Sequence, residues 1–189
     1  MKHTKLFTLN VMALFCVLGL ITKKMINPFA NVITESLHIP GGISTGFSIM
    51  FLVIAAELVQ TRHSGAMMGT VQGFLALAMG RVGSMGLLSP IGYIVPGVTI
   101  DLVYRLQVHM NFSRLERMVF ANAAAAVMAS VTANIIVFRL QGPVLWLYLC
   151  VSALSGTVYG FLGSAIVGRL TAPLGQYQNK MRSHNHEKA

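Results

Sequence analysis

Six apolar runs divide this chain, and they decide the solvent in which it can fold. They cover residues of about 6–22, 43–60, 65–80, 87–106, 115–138 and 143–168. A helix needs roughly 17–25 mostly apolar residues to cross a bilayer core, and five of the runs reach that length, the third falling slightly short. Lipid offers no partner to an open backbone N–H or C=O, so such runs cross as helices that satisfy their own hydrogen bonds. The overall make-up agrees, with 54% hydrophobic and only 10% charged residues, outside the range of ordinary soluble folds. The expectation is an all-α membrane protein of six transmembrane helices over residues 1–174, followed by a polar tail at 175–189.

Lys2 and Lys5 before the first run give it the look of a signal peptide, but no small-x-small cleavage site follows, and Lys23-Lys24 end the run instead. The next stretch, KKMINPFANVITESLHIPGG, is too polar to cross and too apolar for a plain solvated loop. It reads as a structured outer loop or lid at about 23–42.

Charge sets the orientation. The formal net charge is +9, but the 14 Lys and Arg lie in short loops and at the ends with no basic, aromatic-interleaved face, so nucleic acid is not an expected partner. With the N-terminus inside, ten of these cations are cytoplasmic, against Lys23, Lys24, Arg81 and Arg139 outside. Cationic loops stay on the cytoplasmic side, which predicts N-in and C-in in the cell membrane.

No hydrolase elbow, P-loop, HExxH motif or catalytic carboxylate pair is present, so the chain is not expected to be an enzyme. Energy for any transport must come from an ion gradient or a partner chain. Cys16 and Cys150 sit inside apolar runs without CxxC or metal-type spacing, so neither a disulfide nor a metal site is expected from them, and no cofactor is implied.

Gly65, Gly69 and Gly73 line one face of the third run at a spacing of four. Small residues at this spacing let helices approach closely in lipid. They serve either internal packing or docking of a separate subunit. Glu57 and Asp101 are the acidic residues well within apolar runs, and both fall toward the cytoplasmic ends. Such charges are costly in lipid, so each calls for a structural or subunit-contact role, Asp101 with Arg105 one turn on as a possible pair. The outer half offers a mixed set of polar and aromatic groups: Glu35 and His38 from the loop, Thr45 and Ser48, Gln72 at mid-span, Arg81, Tyr93, Asn134 and Trp146. Groups of this kind suit a polar ring compound. Alternatively, Trp146 and the tyrosines form an interfacial belt, and His38 with Met25, Met79 or Met85 ligates a metal or haem.

The runs GFSIMFLVIAAELV, TVQGFLALAMGRVGSMG and GYIVPGVTIDLVY, with ALSGTVYGFLGSAIVGRL, resemble the substrate-binding S-components of energy-coupling factor (ECF) importers, closest to the YkoE-like thiamine-precursor type. The resemblance implies an outward pocket for a vitamin or vitamin precursor, closed by the first loop. It implies as partners a transmembrane coupling subunit and two ATPase subunits, with Gly65, Gly69, Gly73 and Asp101 as candidate docking residues. The chain departs from the pattern in two places. The first run has Ala13 and Val17 where small residues four apart are usual, and Val71 and Gln72 stand where the thiamine-precursor type carries an acidic residue. A structural membrane-assembly subunit without ligand is the remaining reading.

Overall fold

The computed structural model describes residues 2–36, 43–80, 83–107 and 112–186. Its helices are α1 (Lys2–Ser36), α2 (Ile43–Val59), α3 (Ser64–Ala78), α4 (Ser89–Gln107), α5 (Arg114–Ala133) and α6 (Gly142–His186). A 3-10 turn at Gly83–Leu88 leads into α4, and a π-turn at Asn134–Phe138 ends α5. No strand occurs among the described residues. Among the described residues, four stretches are long and apolar enough to cross a membrane: Thr8–Ile26, Met85–Gln107, Arg114–Phe138 and Gly142–Thr171. The 17 residues of α2 and the 15 of α3 are shorter. At 1.5 Å per residue they reach about 25 and about 22 Å, less than the ~30 Å of a bilayer core.

The reason for α2's tolerance of that shortness is its position. Every residue from Ser48 to Glu57 is buried, and α2 touches all five other helices. A helix apolar on every face, as ISTGFSIMFLVIAAELV is, belongs in a core. Around it, close approach depends on missing side chains. A Cβ at Gly65 would stand 2.5 Å from the Gly97 carbonyl oxygen, one at Gly69 2.5 Å from the Tyr93 carbonyl oxygen, and one at Gly73 2.9 Å from Pro90 Cα. The α3 and α4 backbones therefore run in direct contact. Gly156 and Gly160 do the same for α6 against Ala123 and Val119 of α5, each with 2.7 Å to a Cα. Asn122, fully buried, ties three helices by donating its amide to the carbonyls of Gly156 (2.7 Å) and Gly46 (3.3 Å). Ser130 and Ser152 add a 2.5 Å hydroxyl pair between α5 and α6.

Two expectations change. The stretch after Lys23 is not a loop from the start: α1 continues as helix through Ser36, with Pro28 inside it, and only 37–42 lie outside the described residues. Loss of apolarity marks where lipid ends, whereas a helix whose hydrogen bonds are internal can run on into water. For the same reason α6 extends through most of the expected polar tail, to His186. The glycine stripe, read as serving either internal packing or docking, packs against the chain's own α4 and is buried at Gly65, Gly69 and Gly73.

Candidate functional site

Alternating helix directions sort the side chains into two ends. At the end where α2, α4 and α6 begin, a small cavity is lined by Lys23, Thr45, Ser48, Gln72, Tyr93 and apolar neighbours including Leu52 and Ala129. Its described walls enclose about 20 Å³, room for roughly one water. Lys23 comes from α1, two turns beyond Cys16 on the helix face that also buries Gly19 and Leu20. Its ammonium lies 4.7 Å from the centre of the Tyr93 ring and donates to the Tyr93 hydroxyl at 3.3 Å. Gln72, 1% exposed, donates to the Cys16 carbonyl at 3.2 Å. Gly19 makes room for that amide, since a Cβ there would stand 2.7 Å from Gln72 Nε2. Ser48 donates to the Thr45 carbonyl within α2.

The opposite end holds a wider cleft of about 530 Å³, where α2 and α4 finish and α3 and α5 begin. Its floor is an ion pair. Arg117 grips Glu57 with two bonds of 2.6 and 3.2 Å, and Tyr104 donates to the same carboxylate at 2.9 Å. The Glu57 side chain is 3% exposed and that of Arg117 31%, so the pair is shielded mainly on the acid's side. Asp101 does not pair with Arg105 as the spacing suggested. It accepts from the backbone N–H groups of Gly65 (2.9 Å) and Ala66 (2.8 Å), capping α3 from a neighbouring helix. The first turn of a helix has unpaired N–H groups and a positive dipole end, both of which favour a carboxylate. His63, which precedes α3, supplies no side-chain cap of its own. Arg105 instead contacts the His63 ring at 3.0 Å.

No protein-family model matches the sequence, nor does any curated protein. Among solved structures, the chain is similar to one described as the crystal structure of an S-component of an ECF transporter. The two share 18% identity and superpose with a TM-score of 0.70 over 100% of this chain and 98% of the other. The fold is that of an S-component.

Within the S-component fold, four of the outer-half residues selected from the sequence, Thr45, Ser48, Gln72 and Tyr93, come together at one cavity, the last two 21 positions apart in the chain. Asn134 plays a different part. Its side chain accepts from the Leu140 N–H at 2.7 Å and donates to the Leu140 carbonyl at 3.4 Å, closing the α5–α6 turn. That turn needs closing because Arg139 there adopts a left-handed conformation, φ 50°. Trp146 is 70% exposed on α6 and does not line the cavity. Glu35 lies on α1 with its side chain outside the described part, and His38 and Arg81 lie outside the described residues. Lys23 is the lining residue that sequence reasoning passed over, because a Lys-Lys pair after an apolar run reads as a membrane boundary. The signal was its spacing: residues 16, 19, 20 and 23 share a helix face, and Lys24 does not.

Proposed function

We propose that this protein is the substrate-capturing membrane subunit of an ECF-type importer. Its six helices cross the cell membrane with both termini in the cytoplasm, so that the Lys23–Tyr93 cavity opens toward the outside and the Glu57–Arg117 cleft toward the inside. The substrate is a vitamin, vitamin precursor or similar ring compound. The observation that carries the reading is the full-length fold similarity to an S-component, supported by a polar and aromatic cavity at one end whose polar groups come from four helices.

Pockets for small molecules enclose about 300–1,000 Å³, far more than the described cavity. Capture therefore requires α1 to move, and α1 is the element suited to it. It packs on α2 and α3, and its links to the described cavity walls include the Gln72 amide and the Lys23–Tyr93 contact. ATP hydrolysis is supplied by partners: a transmembrane coupling subunit and two ATPase subunits, met from the Glu57 end.

The test is binding by the isolated chain. Purified in detergent and titrated without ATP against a panel of vitamins and their precursors, it should saturate with one ligand at a 1:1 ratio by calorimetry. A folded protein that saturates with none of them, and that fails to associate with a coupling subunit and ATPases on co-expression, would remove the proposal.

A further inference from the structure

Among the described residues, Lys23 sits in the cavity with no acidic side chain beside it. Among the described residues that line it, the other polar groups are the neutral Thr45, Ser48, Gln72 and Tyr93. The sequence offers five acidic residues in all. Glu57, Asp101 and Glu116 are at the opposite end, held by Arg117 and Tyr104, by the α3 N–H groups, and by the Ser113 N–H respectively. Glu35 follows Lys23 by twelve residues of the same helix, which is roughly 18 Å along the axis. Glu187 comes after the end of α6 at His186, outside the described residues.

An ammonium carries three donors and a full charge. Lys23 has one bond of 3.3 Å to a neutral hydroxyl and one aromatic face. Removing a charge from water without a counter-ion is unfavourable, and a long side chain at a membrane boundary ordinarily turns its head outward. Lys24, its neighbour, is exposed, whereas Lys23 is half-buried and turned inward.

We infer that the cavity is built for a ring compound bearing a negative charge, with Lys23 as the residue that reads the charge and Tyr93 as the face that receives the ring. This rests on the capture reading above. An entering carboxylate or phosphate gives Lys23 the counter-ion it lacks, through charge-assisted hydrogen bonds. Lys23 then leaves the Tyr93 ring, which is freed for stacking. A cationic ring would meet Lys23 as a like charge. The wider field has the same sign, because Lys24 and Arg139 are exposed at this end and no described acidic side chain lies there.

The experiment compares charge at constant shape. The full-length protein in detergent is titrated with nicotinate and nicotinamide, with biotin and its primary amide, with thiamine as a cation, and with the neutral aminopyrimidine half of thiamine. The tightest ligand should be an anion, preferred over its neutral amide by about tenfold or more. Lys23→Gln should collapse that ratio toward one, and Lys23→Arg should retain it, with melting curves confirming that both variants fold. Tightest binding of thiamine or the aminopyrimidine, or an unchanged ratio in Lys23→Gln, overturns the charge reading and leaves substrate capture standing. Saturation by none of the panel overturns the charge reading, and if the folded protein also fails to associate with a coupling subunit and ATPases on co-expression, the capture reading falls with it.

Discussion

Replacing Gly69 by Ala asks whether the α3 glycine stripe is packing or docking. Alanine is the mildest possible insertion, yet its Cβ would stand 2.5 Å from the Tyr93 carbonyl oxygen and 3.3 Å from Gly97 Cα, where ordinary contact begins at 3.4 Å. The obstructing atoms are backbone, so no side chain can rotate out of the way. Relief needs α3 and α4 to separate by about 0.9 Å at this crossing, the difference between 3.4 and 2.5 Å. That displacement loosens the neighbouring contacts of Gly65 with Gly97 and of Gly73 with Pro90. Overpacking of this kind costs typically about 1–3 kcal/mol, and the backbone-to-backbone geometry places Gly69→Ala in the upper half of that range. Because Tyr93 lies on the seam, ligand affinity should fall as well. Equilibrium unfolding in mixed micelles, read by circular dichroism, measures the loss, with Ala165→Leu on the exposed face of α6 as the control expected to change little. Wild-type stability in Gly69→Ala, together with lost association with a coupling subunit, would show the packing argument to be wrong and the stripe to be a docking face.

Two further substitutions probe the opposite end. Glu57→Gln leaves Arg117 and the Tyr104 hydroxyl without their carboxylate. Breaking a buried pair costs about 3–5 kcal/mol, and the 31% exposure of the Arg117 side chain puts this one at the lower end. In a double-mutant cycle, adding Arg117→Met should recover much of the loss, and additive losses would mean that the pair is not coupled. Asp101→Asn keeps the shape but removes the charge and one of two acceptors at the start of α3, so it should destabilise by about 1–2 kcal/mol. Hydrogen exchange at the Gly65 and Ala66 amides should accelerate with it, and unchanged protection there would refute the cross-helix cap.

Much of the fold is legible in the sequence because the bilayer imposes simple rules. The apolar runs mark the helices, and the chain's few acidic residues mark where charge must be explained. The spacing of Gly65, Gly69 and Gly73 announces close helix contact, although it does not say with what. The site is less legible. Gln72 and Tyr93 stand out as polar groups in apolar surroundings, but so do Asn134 and Trp146, and composition does not distinguish a residue that faces a cavity from one that closes a turn or is exposed on the outside of its helix. Lys23 is the reverse case, a site residue disguised as a boundary marker.

What the sequence determined by itself is the chain's solvent and its helical make-up, because runs of residues that cannot leave hydrogen bonds open in lipid have one way to fold. What only the tertiary structure decided is which helix face meets which. It set α4 over the glycine stripe, gave Asp101 to α3 instead of Arg105, put α2 at the centre, and turned Lys23 inward onto Tyr93. These choices depend on contacts between residues such as Lys23 and Tyr93, 70 positions apart. A helical period fixes a residue's place around its own axis and carries no record of the neighbour on the other side.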